Sequence, residues 1–306
     1  MDLVISQLSK TYPNGVRALD DVSLTIEPGL YGLLGPNGAG KSSLMRTIAT
    51  LQEPDTGSIQ FGELNVLTQK EELRKTLGYL PQEFGLYPKV PAEDLLDHFA
   101  VLKGVTRRGE RKALVKALLE QTNLWQVRKK KVGGYSGGMR QRFGIAVALL
   151  GDPRLLIVDE PTAGLDPEER VRFLNLLAEL GENAVVILST HIVDDVAELC
   201  ARMAIINQGH ILLETEPAVA VDELGPRVFE RVITKEEVPE YQKREDFLSQ
   251  KRILGRTVVR TCADSAPEGF SASSATLEDV YFAALRGFVG NQRSEAVATA
   301  AAGETP

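Results

Sequence analysis

Leu30-Tyr31-Gly32-Leu33-Leu34-Gly35-Pro36-Asn37-Gly38-Ala39-Gly40-Lys41-Ser42 is the stretch that decides how this chain of 306 residues folds. The apolar run Leu30 to Leu34 predicts a strand, the glycine-rich segment a turn, and a helix is expected to begin near Lys41. Gly35, Gly38 and Gly40 free the backbone for left-handed torsions and for close approach to an anion. Consecutive N–H groups and the helix N-terminus then aim partial positive charge at it. The spacing G-x-x-x-x-G-K-[ST] adds Lys41 for β- and γ-phosphates and the Ser42 hydroxyl for Mg²⁺. Gly35, Pro36, Asn37, Gly38, Ala39, Gly40, Lys41, Ser42 and the adjoining Ser43 form the candidate phosphate cradle.

Upstream, Leu3, Ile5 and Leu8 alternate with polar residues, and Val22 to Ile26 reads as a second strand ending at Glu27-Pro28-Gly29. Antiparallel strands flanking the ligand are expected here. Tyr12, between them, offers a ring either to an adenine face or to the rim of the core. Downstream, Thr56 to Gly62 reads as a strand, Gln69 to Lys75 as a short helix, and Leu77 to Leu80 as a strand that delivers Pro81-Gln82. Residues just past the C-terminal ends of strands line the ligand crevice of an open α/β sheet, which makes Gln82 a site candidate.

From Pro91 to about Thr122 the pattern is helical, with Leu95, Leu96, Phe99 and Leu102 on one face, as in a helical insertion. Arg128-Lys129-Lys130-Lys131 reads as a solvated turn or as an attraction to phosphate-bearing headgroups. Ser136-Gly137-Gly138 opens the next helix as a second anion-binding terminus. Leu155 to Val158 is apolar throughout, as expected of a strand buried on both faces, and it ends in Asp159-Glu160. Two carboxylates at such an end are costly without a cation. Asp159 would hold Mg²⁺ through water, and Glu160 would orient or deprotonate the water attacking a γ-phosphate. Asp166 lies in the following turn. Ala184 to Leu188 is another buried strand, ending at Ser189-Thr190-His191, so His191 falls on the edge that holds the two carboxylates.

Composition sets outer bounds. With 35 basic and 42 acidic residues the net charge is -7, so no nucleic-acid partner is expected. The two cysteines, Cys200 and Cys262, lack metal-like spacing and read as buried small hydrophobes of a reducing compartment. No apolar run approaches the roughly 18 residues of a spanning helix, and the chain opens directly on strand-like alternation. It is therefore expected not to cross a membrane by itself.

Tyr12, the cradle, Gln82, the Ser136-Gly137-Gly138 helix start, Asp159-Glu160, Asp166 and His191 occur in an order that resembles the ATP-binding-cassette (ABC) ATPases over about residues 1–215. The resemblance makes these the A-loop aromatic, Walker A, Q-loop, signature, Walker B with its catalytic glutamate, D-loop and H-loop. It implies an α/β P-loop NTPase with a mostly parallel central sheet, an antiparallel β-subdomain and a helical insertion over about 84–150. It also implies ATP and Mg²⁺ as ligands, with Ser42, Gln82 and Asp159 around the metal and Lys41, Gln82, Glu160 and His191 in hydrolysis. Two cassettes would close head to tail over two ATP molecules, as a homodimer or with a similar chain, Ser136, Gly137, Gly138 and Asp166 serving the shared sites.

Two departures stand out: Tyr135 and Met139 replace the commonest leucine and glutamine of the signature, and Ala163-Gly164 precede Leu165-Asp166. Met139 cannot donate a glutamine's hydrogen bond.

Beyond Gly209, Arg227 to Ile233 and Thr257 to Cys262 alternate like half-buried strands around a charged helical segment, a small α+β appendage over 216–288. The helix Thr276 to Phe282 is similar to the closing helix of ABC ATPases serving bacterial exporters whose membrane part is a separate polypeptide. Residues 289–306 read as a disordered tail. Phe84, Leu86 and Tyr87 either cap the insertion's core or meet a permease's coupling helix. The expected function is ATP-driven export through a separate integral-membrane permease, at the cytoplasmic face of the cell membrane. A soluble cassette ATPase acting on ribosomes or DNA, and an importer ATPase, are the alternatives.

Overall fold

A computed structural model describes residues 1–290 apart from 83, 84, 86 and 162–164. The tail from 291, Phe84, Leu86 and the Ala163-Gly164 departure lie outside the described residues. β1 (Leu3–Thr11) and β2 (Arg17–Ile26) pair antiparallel, β3 (Gly29–Leu34) runs into the cradle, and α1 (Lys41–Ile48) grows from it. β4 (Thr56–Phe61) and β5 (Leu64–Asn65) complete an antiparallel sheet in the order β2-β1-β4-β5. α2 (Lys70–Thr76) leads into β6 (Leu77–Leu80). The insertion holds α3 (Ala92–Leu102) and α4 (Arg108–Gln121), followed by α5 (Gly137–Ala148). Then come β7 (Leu155–Asp159), α6 (Pro167–Gly181), β8 (Val185–Thr190), α7 (Val193–Leu199) and the hairpin β9 (Arg202–Asn207) and β10 (His210–Thr215).

The central sheet has the order β10-β9-β3-β8-β7-β6, parallel except for its terminal hairpin. Its inner strands are apolar on both sides because both sides are covered. Leu155, Ile157, Val185 and Ile187 face the antiparallel sheet and α1; Leu156, Val158, Val186 and Leu188 face the core shared with the insertion. The strand alternation of period two thus feeds two cores from one sequence. At the sheet's C-terminal edge β3, β6, β7 and β8 deliver the cradle, Gln82, Asp159-Glu160 and His191 together.

α8 (Pro217–Leu224), β11 (Val228–Ile233), α9 (Val238–Tyr241), β12 (Phe247–Ile253), β13 (Arg256–Cys262), β14 (Ser271–Ala272) and α10 (Leu277–Leu285) follow. The segment between β11 and β13, read as helical from its charges, contains only the short α9. The rest is β12, paired to β13 through Gln250↔Val259 and Lys251↔Val258. Its buried Phe247, Leu248 and Ser249 give way to Gln250 and charged residues, so periodicity is lost midway along the strand. The hydrophobic core runs across the expected boundary at 215/216: Ala220, Leu224, Leu277, Val280 and Ala283 belong to the cluster that holds Val196, Met203 and Ile205. Phe229, Tyr241, Phe247 and Phe270 form a small core of their own. Cys200 and Cys262 are buried free thiols, and burial pushes both up in pKa, Cys200 to about 12.

Candidate active site

Gly38 and Gly40 take φ of 81° and 110°, torsions that side chains resist, and Gly40 caps α1. Gly35 departs from the sequence reading: its torsion is ordinary, and a Cβ there would lie 2.4 Å from the Ile206 carbonyl. Close packing of the loop on β9 is what its lack of a side chain permits. Lys41 is buried, and its Nζ donates to the Gly35 and Pro36 carbonyls at 2.6 and 3.1 Å. Burial lowers its pKa, while the charges of Glu160 and Asp159 pull the other way. Phosphate oxygens would give this ammonium stronger, charge-assisted acceptors than its own loop does.

Asp159 is buried at the end of β7, and burial raises its carboxyl pKa against the Ser189 and Ser42 hydroxyls beside it; Glu160 adds to the rise and Lys41 opposes it. Its Oδ1 has no hydrogen-bond partner. An orphaned carboxylate oxygen next to a serine hydroxyl fits a hard divalent cation. Among the described residues no group of three His, Cys, Asp or Glu side chains could hold a metal unaided. That suits Mg²⁺, which uses one or two carboxylates together with phosphates and water.

Glu160 sits at φ 49°, a left-handed torsion uncommon for a non-glycine residue and characteristic of functional sites. Gln82 Nε2 donates to its Oε2 at 3.1 Å, and His191 Nδ1 lies 3.1 Å from its Oε1. A carboxylate only accepts, so the bond from His191 puts the proton on Nδ1 and leaves the other face of this exposed ring open. The amide of Gln82 keeps its carbonyl oxygen for a cation. Three residues read separately from three strand ends therefore form one hydrogen-bonded unit around Glu160.

Tyr12 is held by its hydroxyl, 3.0 Å from both Ser43 Oγ and Gln52 Oε1, which ties the first hairpin to α1. Ser136 caps α5 by accepting from Met139 N at 3.2 Å, with Ser136 and Gly137 exposed. Tyr135 is buried against Phe143 and donates to the Val127 carbonyl, and Met139 packs on the same core, so both signature departures are packing residues here. Asp166 caps α6 by accepting from Glu169 N at 2.8 Å. Neither the Ser136 helix start nor Asp166 touches the cradle through a hydrogen bond among the described residues. Arg128 stacks on Trp125 at 3.9 Å and faces Glu93, which makes that basic run a structural turn at its first residue.

Sequence reasoning missed Glu169 and Arg142, paired at 2.6 Å between α6 and α5. The Glu169 carboxylate lies 2.2 Å from where a Gly138 Cβ would stand. Gly138 is thus needed for helix packing as well as for an anion's approach. Nothing local signals a pair 27 positions apart; only the tertiary crossing brings it together.

Comparison with known proteins identifies the family. A family model described as "ABC transporter" matches residues 19–163. The chain is 38% identical over 200 residues to the ABC transporter ATP-binding protein NatA of Bacillus subtilis, covering 64% of this chain and 81% of that protein. It is 34% identical over 269 residues to the Nod factor export ATP-binding protein I of Burkholderia pseudomallei, covering 87% of each. The probable multidrug ABC transporter ATP-binding protein YbhF of Escherichia coli matches at 35% over 230 residues, and there the alignment spans 39% of the relative's length. Among solved structures, the post-hydrolysis dimer of the cassette MJ0796 bound to ADP and Pi superposes with a TM-score of 0.65 at 26% identity, over 70% of this chain and 98% of that one. The chain belongs to the family of ABC transporter ATP-binding proteins.

Proposed function

We propose that the chain is the ATP-hydrolysing motor of an export complex. The observation that supports this best is Glu160 held from both sides by Gln82 and His191, beside the buried, partnerless oxygen of Asp159. Glu160 accepts the proton of the attacking water, and His191 fixes its carboxylate. Lys41 and the cradle N–H groups hold the phosphates; Asp159, Ser42 and Gln82 would hold Mg²⁺, which would supply positive charge against the phosphates. Ser136 and Gly138, exposed or packed away from this cradle, act on the nucleotide of a second cassette. The similarity to an exporter's ATP-binding protein over 87% of both chains favours export through an integral-membrane permease. No helix among the described residues is long and apolar enough to cross a membrane. The chain acts as a peripheral subunit on the membrane's cytoplasmic face. Residues 1–215 form the nucleotide-binding unit and 216–288 an appendage grafted onto its core.

Mixed dimers test the shared site. Lys41→Ala removes the phosphate ligand from one chain. Gly138→Asp sets a carboxylate against Glu169 at the helix start of the other. Each variant alone is expected to be inactive, and mixing them leaves one composite site with all its parts, so some hydrolysis returns. Activity from either variant alone as a monomer would count against the shared site.

Tyr87 tests the permease. It is 61% exposed, and single exposed aromatics gain most when a partner covers them. Tyr87→Asp is expected to release the chain from membranes of cells that co-produce the permease, with basal hydrolysis retained. Recovery of the unmodified chain on ribosomes or DNA, with none on membranes, would favour a soluble cassette ATPase instead.

A further inference from the structure

The hairpin between β12 and β13 leaves only Leu254 and Gly255 outside the strands, with Ile253 paired to Arg256. Both turn residues have positive φ, 48° and 80°. Two-residue turns of this hand favour Asn-Gly or Asp-Gly, because Asn and Asp tolerate the left-handed region and leucine does not. The Leu254 residue is also 98% exposed, with Ile253 at 50% beside it. Turn geometry and burial both disfavour leucine at this position, so its presence points to a contact outside the chain.

The chemistry around the tip indicates what that contact is. A groove of about 290 Å³ on its flank is lined by Lys235, Lys251 and Arg252 together with Val238 and Pro239, and by no carboxylate. Lys251 is held by Glu278. Lys235, Arg252 and Arg256 have no ion-pair partner among the described residues. Glu236 and Glu237 follow Lys235 in the chain, but Glu237 is turned back to accept from Thr234 N. In a chain of net charge -7 this end of the appendage is locally cationic. An apolar tip protruding among these cations suits the boundary between acyl chains and anionic headgroups.

We propose that the β12–β13 hairpin docks on an anionic phospholipid bilayer, Leu254 and Ile253 entering the interface and Lys235, Arg252 and Arg256 lying among the headgroup phosphates. This contact is separate from the nucleotide site and needs no permease. It is a weak, reversible attachment, since a single shallow anchor gives only marginal membrane binding.

Flotation of the full chain with vesicles tests it, using phosphatidylcholine with about 30% phosphatidylglycerol against phosphatidylcholine alone. Binding is expected on the anionic vesicles, with a roughly ten-fold loss on neutral ones and a similar loss in about 0.5 M salt. Leu254→Asn should lose binding to a similar extent, yet melt at or above the wild-type temperature because asparagine accepts the turn's torsion. ATP hydrolysis by the variant should be unchanged, so failure here and failure of the motor assignment are read from different measurements. Equal flotation of wild type and Leu254→Asn, equal binding to both vesicle types, or no binding at all would overturn the proposal. So would a wild-type dimer that Leu254→Asn dissolves, which would assign the tip to a second copy of the chain.

Discussion

Purified Glu160→Gln is expected to hydrolyse ATP more slowly than wild type by a factor of about 10² or more, while still binding it. The substitution preserves the site's shape. Its carbonyl oxygen can accept from Gln82 as Oε2 does now, and its amide can donate to Nδ1 once His191 changes tautomer. What is lost is the carboxylate proposed to take the water's proton. In the proposed cycle hydrolysis opens the closed dimer, so the variant should also run as a larger species on gel filtration with Mg-ATP than wild type does. Wild-type turnover by Glu160→Gln would remove Glu160 from the role of base.

A comparably large effect on stability is expected from Asp279→Ala in the closing helix α10. Asp279 is fully buried; it pairs with Arg260 and accepts from Thr276 N and Oγ1 at 2.8 and 2.7 Å, a capping box at the helix start. Alanine would remove the carboxylate half of the capping box, with Thr276 still able to cap, and leave Arg260 largely buried, bonded to Ser273 and the Ser274 carbonyl and 3.5 Å from the more exposed Glu230. Breaking one side of a buried pair costs about 3–5 kcal/mol, which should lower the thermal midpoint by roughly 5–8 °C in a chain of this size. The double variant Asp279→Ala/Arg260→Leu should melt higher than the single one, because no largely buried guanidinium is left without its buried carboxylate, and Glu230 is exposed enough to be solvated. A single variant melting within about a degree of wild type would show that the pair contributes nothing.

Much of the site was legible in the chain because its parts stand at strand ends that sequence pattern can find. The run Leu155 to Val158 is buried on both faces, and its end had to place Asp159-Glu160 at the crevice. The union of Gln82, Glu160 and His191 was not legible, since it depends on the spatial order β3-β8-β7-β6, which follows neither chain order nor spacing. The left-handed torsion of Glu160 was hidden for the same reason: surrounding structure, not the residue's preference, imposes it. Gly35 was misread because a glycine needed for close packing and one needed for torsion look alike in sequence. β12 was hidden by the charges of its exposed half, and Arg142 with Glu169 by their separation.

The core that continues past residue 215 also bears on how the chain is made. Val196 and the β9 residues Met203 and Ile205 are synthesised well before Leu277, Val280 and Ala283 of α10, with which they share a cluster. At about 5–20 residues per second, this apolar surface waits several seconds on the ribosome for its cover. The cassette's fold therefore closes late, and this apolar face stays open to chaperones until α10 has been made.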